Sequence, residues 1–163
     1  MAKKIDIEAA PAGTGAPYPA PFHTPCAGRF ARRLGDAAGL TQIGVNLTRL
    51  PPGGWSSQRH WHTAQDEFIF VVAGEAVLVS DAGEEIFRAG DSVGFKAGTA
   101  DGHHFQNRSQ ADVLLLEMGA RRPGEDEAFY PDIDLHRGLA GYARRTGEPY
   151  PPRPPTGPAG GTR

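Results

Sequence analysis

Residues 53–74 read GGWSSQRHWHTAQDEFIFVVAG. His60 and His62 are two apart, and on an extended strand such residues project to the same side. Both imidazoles can therefore address one point. The turn-like residues 63–66 are expected to reverse the chain, so that Glu67 opens an adjacent antiparallel strand and sets its carboxylate beside the two rings. Two nitrogen donors and one oxygen donor on one patch suit a divalent transition metal: Fe, Mn, Ni, Co, Cu or Zn. A fourth ligand has to come from a distant strand, where His103 and His104 are the candidates. An HxH pair alone is more often solvated than metal-bound, so the argument rests on the carboxylate and the distant histidine together.

Outward from this stretch the pattern is one of short strands. Ile43, Val45 and Leu47 alternate with smaller or polar residues, a period of two. EFIFVVA (67–73) and EAVLVS (75–80) are separated by Gly74, and DAGE (81–84) is a turn. EEIFR, DSVGFK, HHFQN and finally ADVLLLEM (111–118) complete seven or eight strands. Frequent turn signals with almost no internal proline point to an all-β sandwich or barrel. Strand 67–73 is apolar on both faces. Ile69 and Val71 point one way; Phe68, Phe70 and Val72 point the other. The outer face needs a cover, from the chain's own arms or from a second subunit; a homodimer is the expectation.

The chain divides into a Pro/Ala/Gly-rich arm (1–27), a domain (28–148) with its strand-rich core at 41–119, and a Pro/Gly-rich tail (149–163). Arm and tail are expected to be flexible or extended. Residues 28–40 read as a short helical turn or loop, and 120–150 as loop with one added strand. The 163 residues suffice for one domain with a core. With 17 basic and 19 acidic residues, a net charge of −2 leaves no basic footprint for nucleic acid or anionic membranes. No apolar leader or membrane span is apparent, and a single cysteine, Cys26, excludes an intrachain disulfide; a cytoplasmic protein is expected. There is no Gly-rich phosphate loop, no G-x-S-x-G and no C-x-x-C.

The motifs resemble those of the cupin superfamily. The first cupin motif, G-x5-H-x-H-x4-E-x6-G, is filled at every position by Gly54, His60, His62, Glu67 and Gly74. The second, G-x5-P-x-G-x2-H-x3-N, runs from Gly90 through Gly98 to His103 and Asn107. Lys96 stands where the family usually has proline, and four residues rather than two precede His103, which puts the conformation of that loop in question. The Asn107 spacing selects His103 over His104. The resemblance implies an all-β, double-stranded β-helix (jelly-roll) barrel and a metal site of His60, His62, Glu67 and His103. The chain also looks like a group of small bacterial cupins.

Other residues receive shorter readings. Trp55, Arg59, Phe95 and Phe105 are candidates for a pocket wall, Phe105 foremost because it lies two residues from His103. Gln58 and Arg59 could hold an anion or lie on a solvated loop. His104 should face away from the metal in a structural or outer-surface role; His23 and His136 lie in arm and loop, and Cys26 reads as a small buried residue. Four protein ligands on an octahedral ion leave about two positions for substrate oxygens or O₂. Dioxygenase, sugar or sugar-phosphate isomerase and lyase chemistry on a small oxygen-rich molecule are all compatible. Isomerisation needs a base besides Glu67, and no other acidic residue near the motif is expected to point inward. A non-enzymatic small-ligand sensor is the alternative, although the chain has no room for a helix-turn-helix.

Overall fold

The computed structural model describes residues 2–151. Of the expected flexible tail, residues 152–163 lie outside the described residues. The described chain is built almost wholly of β-strands: β1 (Ala12–Thr14), β2 (Phe30–Arg33), β3 (Ile43–Leu50), β4 (Trp61–His62), β5 (Glu67–Ala73), β6 (Glu75–Ser80), β7 (Gly83–Arg88), β8 (Ser92–Phe95), β9 (His104–Gln106), β10 (Val113–Ala120), β11 (Ala128–Tyr130), β12 (Leu135–Gly138) and β13 (Gly141–Ala143). One four-residue helix, α1 (Leu34–Ala37), follows β2.

The strands form two facing walls. One is a six-stranded sheet in the order β1-β2-β3-β10-β5-β8. The other joins a three-stranded sheet, β7-β6-β9, to a four-stranded sheet, β13-β12-β11-β4. Isolated antiparallel bridges, Trp55 to Gln106 and His60 to His103, link these two pieces. The arrangement is the expected double-stranded β-helix. Between the walls lies a core that includes the fully buried Leu50, Val71, Val113 and Leu115, with Phe105 packed edge-on to Phe87. Burial of each such aliphatic side chain contributes about 1.5–3 kcal/mol.

The alternation in β5 decides what faces the core. Ile69 and Val71 are buried, whereas Phe68, Phe70 and Val72 are 36–43% exposed. Neither arm covers this outer face in the described chain. Gly74 ends the strand at φ +84°, and a Cβ there would lie 2.8 Å from the Asp112 carbonyl oxygen, so the position demands glycine.

Four regions differ from their sequence reading. Residues 28–40, read as a short helical turn or loop, hold strand β2, paired with β1 and β3, ahead of the short helix α1. The N-terminal arm is extended but packed: β1 pairs with β2, and Tyr18 and Cys26 are buried in a second apolar cluster with Ala128, Tyr130 and Leu135. Apolar burial among the prolines overrides the composition. Residues 120–150 form three strands, not one, and Tyr150 at the start of the tail is anchored by its hydroxyl to the Asp134 carbonyl (2.7 Å). Finally, β4 does not pair with β5. It pairs with β11, on the opposite wall, so Glu67 meets the two histidines across the barrel and not along a hairpin.

Candidate metal centre

The segment 60–62 runs along one wall between β9 and β11. Glu67 projects from the start of β5 on the other. In the ladder it faces Gly119, which in turn faces Gly44, so two residues without side chains open the barrel beside the carboxylate. Across this space three imidazoles converge on Glu67. Its Oε2 lies 3.0 Å from His103 Nε2 and 3.8 Å from His60 Nε2; its Oε1 lies 3.8 Å from His62 Nε2. The donor atoms of His60, His62 and Glu67 all lie within 4.8 Å of one another, and these three residues can hold a single metal ion.

The second nitrogen of each ring is committed elsewhere. His60 Nδ1 donates to the Gln58 carbonyl (2.9 Å), His103 Nδ1 to the Asp101 carbonyl (2.9 Å) and His62 Nδ1 to the Asp126 carboxylate (2.6 Å). These acceptors take the Nδ1 proton, so each ring turns its Nε2 toward the centre, where His103 Nε2 shares a hydrogen bond with Glu67 Oε2 (3.0 Å). Oriented rings that turn Nε2 to one point are what a metal site needs. Burial brings the His60 pKa down to about 4, against the opposing pull of Glu67. For Glu67 burial pushes upward, but the His103 hydrogen bond and the neighbouring imidazoles outweigh it and bring the carboxyl to about 2. The donor set is therefore two to three imidazole nitrogens and one carboxylate, a fit for a divalent transition ion.

Two residues that hold this geometry were missed in the sequence. Asp126 is buried on the stretch before β11, 64 residues from His62. Besides binding His62 it accepts the amides of Ala64 (2.9 Å) and Gln65 (3.1 Å), fixing the turn between the walls. Glu117 lies on the inner face of β10, one inward position beyond Gly119 and so about 7 Å along the strand from the Glu67 row. Its Oε2 accepts from Arg29 and from Thr48 (both 2.6 Å). An inward acid thus exists outside the two motifs, on the strand ADVLLLEM that the sequence reading took as the last of the series.

A cavity of about 510 Å³ opens on one side of the centre, lined by His60, His62, Glu67 and His103 and also by Arg29, Glu117 and Arg137. A second, of about 210 Å³, lies on the other side behind His62, Glu67 and His103, walled by Trp61, Phe95 and Lys96. Of the expected pocket residues, Phe95 stacks face to face on His103 (3.5 Å) and lines the smaller cavity. Phe105 points inward as expected but sits deeper, fully buried in the core, and lines neither cavity. Trp55 packs edge-on to His104 (4.7 Å). Arg59 is engaged by Asp132 (2.6 and 2.7 Å), by Asp81 and by the Gly102 carbonyl (3.2 Å); it ties down the lengthened loop before His103. Gln58 is buried and donates to the Phe22 carbonyl (2.6 Å), so it is not on a solvated loop.

Two of the remaining histidines, His104 and His136, have structural partners, while His23 Nδ1 is buried with no hydrogen bond among the described residues. His104 is buried, not on the outer surface, and its Nδ1 donates to the Ser57 carbonyl (2.8 Å); burial lowers its pKa. His136 pairs with Glu127 (2.6 Å). Burial pushes the Cys26 thiol up to about 12, so it stays protonated and unreactive.

Comparison with known proteins agrees with this geometry. Residues 46–119 match the cupin domain family. A crystal structure of a sugar phosphate isomerase from a cupin superfamily of Silicibacter pomeroyi is 42% identical, covers 91% of this chain and 97% of its own, and superposes with a TM-score of 0.84. A putative sugar phosphate isomerase from Acidithiobacillus ferrooxidans is 29% identical over 71% of this chain and 74% of its own, with a TM-score of 0.65. A polyketide cyclase from Streptomyces resistomycificus, 20% identical over 76% of this chain and 82% of its own (TM-score 0.60), shares the fold. No curated protein matches the sequence. No helix among the described residues is long and apolar enough to cross a membrane. On motif, fold and identity together, the chain belongs to the cupin superfamily.

Proposed function

We propose that this cupin is a metal-dependent isomerase of a phosphorylated sugar, with His60, His62, Glu67 and His103 as the ligands of one divalent ion. The observation that carries the reading is the convergence of three Nε2 atoms, each with its Nδ1 proton committed elsewhere, on a single carboxylate. A divalent ion held there supplies the Lewis acidity that polarises a sugar carbonyl. The chain's own residues supply the rest. Glu117 has one oxygen bound by Arg29 and Thr48, while Oε1 makes no hydrogen bond and is available to move a proton between adjacent carbons. The likeness to the Silicibacter protein supports the same substrate class. Nothing in the site favours a dioxygenase or lyase over this reading.

The test is interconversion of aldose and ketose phosphates by the metal-loaded protein, followed by NMR in D₂O across pentose and hexose phosphates. We expect one pair to interconvert with solvent deuterium incorporated at the carbon alpha to the carbonyl, and Glu117→Gln to remove this while retaining metal. Failure with every pair and every metal would displace the isomerase reading in favour of the small-ligand sensor. We also propose a cytoplasmic homodimer whose contact covers Phe68, Phe70 and Val72. Light scattering that gives a monomer mass would contradict the dimer.

A further inference from the structure

The larger cavity combines two chemistries. Its lining includes the imidazoles and Glu67. It also includes four cations: Arg29, Arg33, Arg121 and Arg137. Asp36 holds Arg33 (3.1 Å) and Arg121, and Glu117 holds Arg29 (2.6 Å). Four guanidiniums thus meet two carboxylates, an excess of two positive charges. Arg137 makes no side-chain hydrogen bond or ion pair among the described residues, although it has five donors. Arg29 Nε is buried and has no hydrogen-bond partner. A buried donor without an acceptor calls for an explanation.

The register places the free guanidinium relative to the metal ligands. His62 faces Ala128, Ala128 faces Arg137, and Arg137 faces Tyr142, in one row across the four-stranded wall. Ala128, between His62 and Arg137, has the smallest side chain of the row and lines the same cavity. Arg137 begins two strand spacings, about 10 Å, from His62. That span fits a ligand with a carbonyl at one end and a charged group at the other.

We propose that Arg137 and Arg29 form an anion subsite that takes the phosphate dianion of the substrate, while the carbonyl end lies at the metal ligands. The proposal rests on the isomerase reading for the identity of the substrate, but the subsite itself does not depend on turnover. Arg137 and Arg29 set two positive charges against the one carboxylate of Glu117, and the Arg33–Arg121–Asp36 group adds one more net positive charge to the same lining, which favours a dianion over a single carboxylate. Arginine's planar fork suits phosphate oxygens.

The experiment is calorimetric titration of the full chain, metal-loaded and metal-free, with inorganic phosphate, with acetate as the carboxylate control. We expect saturable phosphate binding in both forms and none of comparable strength with acetate. Arg137→Ala should weaken it about 10–100-fold, the loss of a charge-assisted pair. Arg29→Lys keeps the charge opposite Glu117 but removes Nε, and should weaken it about 10-fold. Arg49→Ala, an outer-face arginine paired with Asp112, should change nothing. Phosphate binding that requires the metal and ignores Arg137→Ala would be direct coordination and would overturn the proposal, as would acetate binding equal to phosphate. Phosphate binding with these mutant effects but no isomerase activity would leave the subsite standing and remove only the isomerase reading.

Discussion

Replacing Asp126 with asparagine separates ligand positioning from structural support. The carboxylate accepts three hydrogen bonds, from His62 Nδ1 (2.6 Å) and from the amides of Ala64 and Gln65. Asparagine keeps one oxygen, which can still serve the two amides, so the turn at 63–66 survives. Its NH₂ group then faces His62 Nδ1, and two donors cannot share a proton. The ring is driven to the other tautomer, with the proton on Nε2, where it cannot ligate. Loss of such a partner costs about 10–100-fold in metal affinity, or about 1.4–2.7 kcal/mol. Competition against a chromophoric chelator measures it, with Co²⁺ absorption as a check on coordination. The melting temperature of the metal-free protein should move little for Asp126→Asn. For Asp126→Ala it should fall further, because each charge-assisted bond lost costs about 1.5–3 kcal/mol. Wild-type metal affinity in Asp126→Asn would refute the reasoning.

Other substitutions test the frame. Asn107 is fully buried and uses its whole amide: Nδ2 donates to the Leu50 and Ala111 carbonyls (2.8 Å each) and Oδ1 accepts from the Ser109 amide and hydroxyl. Asn107→Ala should cost about 2–4 kcal/mol in denaturant unfolding and leave metal stoichiometry intact. Gly74→Ala should cost more than about 2 kcal/mol, combining positive φ with the clash at Asp112; a melt equal to wild type would count against the strand-end geometry. Phe105→Ala should lose about 3–5 kcal/mol as a core cavity, with bound metal per folded chain unchanged. A loss of metal instead would place Phe105 at the site.

The repeating pattern of the strands was legible because apolar alternation and turn glycines are local signals. The Asn107 spacing pointed to His103 over His104; in the structure His103 reaches Glu67, while His104 turns to the Ser57 carbonyl. What could not be read was anything set by contacts across the barrel. The partner of β4 is β11, some sixty residues on, and strands as short as AFY, LHRG and GYA carry too little periodicity to register alone. Asp126 lies in RRPGEDEAF, among charges that look solvated until the fold buries one of them against His62. Glu117 hid at the end of LLLEM, where only the ladder with Ile69 and Asn46 shows that it faces inward. Arg59 looked like an anion ligand because its two aspartate partners, Asp81 and Asp132, are remote in sequence.

The central claim is that four side chains from three separate stretches hold one metal ion. Elemental mass spectrometry of the purified, metal-reloaded protein tests it most directly, on wild type, His103→Ala and His104→Ala. The account requires about one equivalent of a divalent transition metal per wild-type chain, a clear loss in His103→Ala and full retention in His104→Ala. No metal in the wild type after reloading, or full occupancy in His103→Ala, would contradict it.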